Sequence, residues 1–251
     1  MKLTQFVPNA FTLANLSCGV IATVLAVNGD LVTAAFFVFA GIFFDFFDGF
    51  FARILKAESE VGLQLDSLAD LVTSGLAPSL VLVQLFRQAE GWTRSPELNI
   101  TDLMHSGTWM PWLGFLVVLA SAYRLAKFNV DTRQTTSFIG LPTPANALLI
   151  LSLPLMLHYQ YAPWMDDVLL NLWFLAGLSL LSAVLLNAEI ALFALKFKHW
   201  AFRGNEVRYL FLIGAGVLLL ALQYQAIPVI ILAYVLVSLL TNSKETAEIA
   251  K

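Results

Sequence analysis

The chain has 251 residues, of which 59% are hydrophobic and only 12% charged, and its mean hydropathy is +0.79. That leaves too little polar surface to cover a water-soluble globule, so the composition specifies an integral membrane protein. A net charge of −3 excludes a basic nucleic-acid binder, and the single cysteine, Cys18, excludes an internal disulfide, a CxxC pair and a zinc cluster.

Apolar windows predict eight spans, at about 11–28, 31–55, 63–88, 109–130, 143–160, 167–194, 206–224 and 226–241. No internal repeat or low-complexity linker divides them, so residues 1–251 are expected to form one all-α domain, a polytopic bundle of transmembrane helices. The start of the chain has the outline of a signal peptide. Pro8, Asn9, Thr12 and Asn15 interrupt its apolar run, however, and it reads as a retained first helix.

The second and third windows carry the chemistry. Asp45, Asp48, Asp66 and Asp70 lie in segments that are otherwise strongly apolar, where an aspartate at a helix centre costs about 2.5–3.5 kcal/mol. Asp45 and Asp48 are three residues apart, and Asp66 and Asp70 four, so each pair occupies one helix face. If Lys56-Ala-Glu-Ser-Glu60 turns a helical hairpin, the four carboxylates converge at one depth. That depth is shallow, because Asp48 precedes Arg53 by only about 7.5 Å of helix rise. A divalent cation is the simplest compensating charge, and Gly49, Ala52 and Gly62 keep the same hairpin free of bulk where a polar ligand would approach the backbone.

Later segments add cations. Arg124 and Lys127 share a helix face, with Asn129 just beyond, and would suit the anionic groups of a substrate. Asn146, after the break at Gly140-Leu-Pro142-Thr-Pro144, is a candidate lining residue. The basic and aromatic run 196–208 is expected to meet anionic headgroups. His105, His158 and His199 form no metal motif, and no P-loop is present. In the eight-span arrangement twelve Lys and Arg residues fall on one side and only Arg87 and Arg94 on the other. Both termini and the acidic hairpin are therefore expected to face the cytoplasm.

The run Asp45-x2-Asp48-Gly49-x2-Ala52-Arg53-x8-Gly62-x3-Asp66-x3-Asp70 resembles the complete signature of the CDP-alcohol phosphotransferase family. Pro8-Asn9-x2-Thr12-x2-Asn15, Gly75-x-Ala77-Pro78, Arg124-Leu-Ala-Lys127-Phe-Asn129 and Gly140-Leu-Pro142-x-Pro144-Ala145 are similar to its phosphatidylserine synthase branch. The likeness covers about residues 8–150, the expected catalytic core, and leaves residues 151–241 as additional hydrophobic spans. Position 127 departs mildly, with lysine where arginine is more usual.

The resemblance implies a homodimeric enzyme of the inner membrane that moves a phosphatidyl group from CDP-diacylglycerol to the hydroxyl of L-serine. By that likeness Asp45, Asp48, Asp66 and Asp70 hold two divalent ions, Mg²⁺ or Mn²⁺, and Asp70 is also the base, with Asp66 beside it in the catalytic pair. Asp48, Gly49, Ala52, Arg53 and Gly62, together with Asn9 and Thr12, would shape the CDP site. Arg124, Lys127 and Asn129 would meet lipid phosphate or serine. Glycerol 3-phosphate or inositol phosphate as acceptor is the nearest rival. A cation transporter is a remoter one, since its site should lie at the midplane and not at one face.

Overall fold

The computed structural model describes residues 3–91, 97–104, 107–131, 138–192 and 205–249. Eight helices carry the architecture: α1 (Leu3–Val27), α2 (Leu31–Ile54), α3 (Glu60–Ala89), α4 (Met110–Val130), α5 (Thr143–Tyr159), α6 (Leu172–Asn187), α7 (Glu206–Leu222) and α8 (Ala226–Ile249). Each apolar window of the sequence overlaps one of them. The basic segment expected at the inner face lies mostly in residues 193–204, outside the described residues.

Five stretches are long and apolar enough to cross a membrane: Phe6–Val27, Leu31–Ile54, Glu60–Ala89, Met110–Val130 and Glu206–Leu240. Two features separate these five stretches from the eight helices. With 17 and 16 residues, α5 and α6 extend about 25 Å, less than the hydrocarbon thickness of about 30 Å. α5 is also enclosed by protein, burying Thr143, Asn146, Ile150, Leu153 and Met156 on successive turns. The other feature is that only one 3₁₀ turn, Gln223–Gln225, separates α7 from α8, so Glu206–Leu240 is continuous in helical residues although it folds back there, with the Phe211 and Tyr234 rings 5.7 Å apart. Gln223 breaks that stretch with φ of 49°. The Gln160 amide holds the break, donating to the Leu222 carbonyl at 3.0 Å and accepting from the Gln225 N–H at 3.1 Å.

Local chemistry explains the other ends. Gly29, with φ of 83°, turns the chain between α1 and α2, and the Asp30 carboxylate caps α2 by accepting from the Thr33 N–H at 3.1 Å. Ser59 caps α3 through the Gly62 N–H at 3.0 Å. The turn between Ile54 and Glu60 falls where the polar stretch 56–60 places it.

α1 packs along α2 and along the whole length of α3, where Gln84 donates to the Ala26 and Val27 carbonyls, whereas α2 and α3 touch each other only sparingly. The acidic hairpin is thus splayed, with α1 as a wedge in the opening. α3 contains a π-helical turn, Leu71–Leu76, immediately after Asp70. Pro78 accounts for it, since it has no N–H to donate and its ring crowds the Ser74 carbonyl four residues back. Three glycine contacts seal the bundle around this turn. A Cβ on Gly19 would lie 2.9 Å from Thr73 Cα, one on Gly41 would lie 2.6 Å from Thr73 Cγ2, and one on Gly75 would lie 3.1 Å from Ser121 Cβ. The apolar core continues from here through Val81, Leu82, Leu85 and Phe86 of α3 to Ile150 and Leu151 of α5.

The one departure from an all-helical fold among the described residues is a two-residue antiparallel ladder, β1 (Phe138–Ile139) with β2 (Ala191–Leu192). It ties the segment before α5 to the segment after α6. Gly140 extends the tie, donating from its N–H to the Ile190 carbonyl at 2.9 Å. Its φ of 75° and the Leu186 carbonyl, 2.6 Å from any Cβ there, allow only glycine.

Candidate active site

α2 brings Asp45 and Asp48 to one face of its C-terminal end by their three-residue spacing, and the opening turns of α3 present Asp66 opposite them. One carboxylate oxygen from each of these three residues lies within 4.8 Å of the others. Three like charges at that separation repel by on the order of 3–4 kcal/mol per pair at an effective dielectric of 20, so the cluster requires countercharge. Its donor set is oxygen only, with no histidine or cysteine joining it among the described residues. That chemistry fits a hard divalent cation such as Mg²⁺ or Mn²⁺ better than zinc or copper.

Asp70 adjoins the cluster through Asp45, with which its side chain is in contact, as Asp45 is with Asp66. α1 supplies neutral partners to the acids of both other helices. Thr12 of α1 donates its hydroxyl to Asp48 Oδ2 at 2.6 Å, and Asn15 of α1 donates its amide to Asp70 Oδ1 at 3.2 Å. The wedge helix therefore reaches both acidic pairs, which the sequence places on different helices.

Beside the carboxylates opens a cavity of about 770 Å³, within the range of sites that hold nucleotide-sized ligands. Asn9, Thr12, Asp48, Gly49, Ala52, Arg53 and Gly62, the seven residues that the family likeness associates with CDP, all line it, and Asp66 forms part of its wall. Its space exists because α2 and α3 diverge. Gly62 is essential to that shape: a Cβ there would lie 3.0 Å from Ser59 Oγ and 3.4 Å from Asn9 Oδ1. Gly49 faces open space, its nearest neighbour being the Arg53 guanidinium at 3.8 Å from a Cβ position. Arg53 Nε donates to the Gly49 carbonyl at 2.8 Å, which folds this exposed cation back toward the cavity.

The three residues expected to meet phosphate or serine differ in their surroundings. Arg124 is buried on α4, its Nε has no hydrogen-bond partner among the described residues, and the Asp70 charge acts on it. Lys127 pairs with Glu189 at 3.3 Å. Asn129 is engaged on both atoms, accepting from Ser67 Oγ at 3.1 Å and donating to Gln64 Oε1 at 3.2 Å, and so joins the end of α4 to α3. Asn146 is fully buried, with neither amide atom partnered among the described residues.

Sequence reasoning passed over Asn15, Phe128, Glu58 and Ser59 as site residues. Phe128 lines the cavity from α4 between Lys127 and Asn129, and only its place inside a polar motif signals it. Glu58 and Ser59 line the mouth from the turn, which reads in sequence as a bare connection.

Residues 5–194 match the family model described as CDP-alcohol phosphatidyltransferase. The chain is similar to the CDP-diacylglycerol–serine O-phosphatidyltransferase of Bacillus subtilis, at 32% identity over 163 residues, covering 63% of this chain and 78% of that protein. It is 33% identical to the Helicobacter pylori protein of the same name over 145 residues, 57% of this chain and 54% of the relative. An archaetidylserine synthase of Methanothermobacter thermautotrophicus is 28% identical over 164 residues, 63% of each chain. The chain thus spans about half the length of the Helicobacter relative and about four-fifths of the Bacillus one.

Proposed function

The chain belongs to the CDP-alcohol phosphatidyltransferase family, and on that premise we propose that it transfers the phosphatidyl group of CDP-diacylglycerol to L-serine, giving phosphatidylserine and CMP. The observation that carries this reading is the carboxylate cluster in the wall of a nucleotide-sized cavity at the end of a splayed hairpin. The names of the Bacillus and Helicobacter relatives support the substrates.

In this reading Asp45, Asp48, Asp66 and Asp70 hold two divalent ions. The ions supply charge neutralisation for the diphosphate and for the departing CMP. The rest of the chemistry belongs to the chain. Asn9, Thr12, Gly49, Ala52, Arg53 and Gly62 seat the cytidine diphosphate, with Arg53 closing on it from the rim. The serine hydroxyl approaches the phosphorus that bears diacylglycerol, on the side of Asp70. A new P–O bond forms to serine as the P–O bond to CMP breaks; the serine proton passes to Asp70, and CMP leaves with the bonding electron pair. Arg124 takes the serine carboxylate, since its burial beside Asp70 and its unpartnered Nε suit an anion close to the base. Lys127 and Asn129 act at the rim of that contact, tying α4 to its neighbours.

The eight helices are read as eight crossings of the cell membrane, with both termini and the active site cytoplasmic and two copies forming a homodimer. α3 favours a site near the surface: its 30 residues extend about 45 Å, so its Asp66 end reaches beyond a hydrocarbon layer of about 30 Å. A doubly anionic acceptor such as glycerol 3-phosphate would call for more cations than Arg124 and Lys127 provide.

The test is CMP release by the purified protein from CDP-diacylglycerol with Mn²⁺ or Mg²⁺ and each alcohol in turn. Release is expected with L-serine and is expected to stop on chelation. Release with glycerol 3-phosphate or inositol phosphate but not with serine rejects the assignment.

A further inference from the structure

Asp70, like Asp48, accepts a hydrogen bond from α1, but it stands outside the tightest group of carboxylates. Asp45, Asp48 and Asp66 form the close cluster, whereas Asp70 is anchored from outside it by Asn15, whose Nδ2 donates to Asp70 Oδ1 at 3.2 Å. Asn15 is completely buried on α1. Its own backbone is held in turn, because Thr73 Oγ1 donates to the Asn15 carbonyl at 3.1 Å. Thr73 lies in the π turn three residues beyond Asp70, so one residue is tied twice to the segment that carries the base.

Both side chains are packed closely against glycines. A Cβ on Gly41 would lie 2.8 Å from Asn15 Oδ1, and one on Gly19 would lie 2.3 Å from Thr73 Oγ1. Both side chains thus occupy space that two helices surrender by having no side chain. An amide also suits the task chemically. It donates a hydrogen bond to one carboxylate oxygen without adding the positive charge that would neutralise a base.

We propose that Asn15 is a positioning residue for the transfer step: its amide fixes the rotation of the Asp70 carboxylate against which the acceptor hydroxyl is to be placed, and Thr73 holds the Asn15 backbone from which that amide projects. The inference rests on the reading of Asp70 as the proton acceptor. The π turn then has a functional consequence, since the widened helix is what brings Thr73 onto the Asn15 carbonyl.

The experiment compares Asn15→Leu and Thr73→Val in the full-length protein. Misplacing a reacting group costs roughly 100-fold in rate for a displacement of 1 Å. Asn15→Leu is accordingly expected to lower kcat by about 10- to 100-fold, and Thr73→Val by a smaller factor. The KM values for CDP-diacylglycerol and serine are expected to stay within about two-fold of wild type at saturating Mn²⁺, because uniform binding is untouched. Adding Asn15→Leu to Asp70→Asn should remove nothing further, since no base remains to be oriented. A kcat within two-fold of wild type for Asn15→Leu at saturating Mn²⁺ overturns the proposal, as does a loss that appears only in KM. Should Asn15→Leu not be recoverable from membranes, Asn15→Ser, too short to reach Asp70, carries the same expectations. Full turnover by Asp70→Asn would instead sink the proton-acceptor reading itself. A wild type that uses another alcohol would leave Asn15 in its role and remove only serine.

Discussion

Arg124 and Lys127 share a helix face in sequence but have different surroundings in the structure. Lys127 lies partly exposed against Glu189, and an exposed ion pair contributes about 0–1 kcal/mol. Arg124 is buried, and its Nε lacks a protein partner among the described residues. Arg124→Gln is therefore expected to raise the KM for serine by more than about ten-fold, while Lys127→Gln changes it by less than about three-fold. Steady-state CMP release with varied serine measures both, and equal effects would show that the two cations share one role. The meeting of Asp45, Asp48 and Asp66 was legible from spacing, because four acids in apolar helices leave unpaired charge unless they converge, whereas Asp70 joins only through Asp45. Asn15 was not legible as a partner. Its hydrogen bond to Asp70 spans 55 residues, and an asparagine in a first transmembrane helix reads as a mere interruption.

At the level of helices, the π turn, Gly19 and Gly41 form one contact. A methyl on Gly19 would meet Thr73 Oγ1 and also Thr73 backbone atoms at 2.9 Å, and backbone cannot swing aside as a side-chain tip can. Gly19→Ala should destabilise the bundle by about 1–3 kcal/mol, the range for overpacking, and lower the melting temperature in detergent. Gly177, where a Cβ meets nothing within 4 Å, provides the matched control, and Gly177→Ala should leave the melting temperature unchanged. Equal behaviour of the two variants would refute the close-approach argument. Helix positions followed from apolar windows, and the turn between α2 and α3 from its polar residues. The splay of the hairpin did not follow, because residue spacing places side chains on a face but does not say whether a third helix separates two faces. The π turn was likewise unreadable beyond the presence of Pro78, since a proline kinks, caps or widens a helix according to what packs beside it.

For the molecule as a whole, the distribution of basic residues makes an orientation testable with little background. The single native thiol, Cys18, is buried. Glu58→Cys, at the mouth of the cavity, should react with a membrane-impermeant maleimide only from the cytoplasmic side, and Asp167→Cys, exposed between α5 and α6, only from the opposite side. Labelling of both from one side would overturn the proposed crossing pattern. The wedge helix also bears on how the protein is made. α1 is synthesised before α2 and α3, so Thr12 and Asn15 are in place before any of the four acids enters the bilayer. Each aspartate pair thus meets a waiting hydrogen-bond donor as it arrives, and the nascent chain need not expose bare carboxylates to hydrocarbon while the rest of the protein is translated.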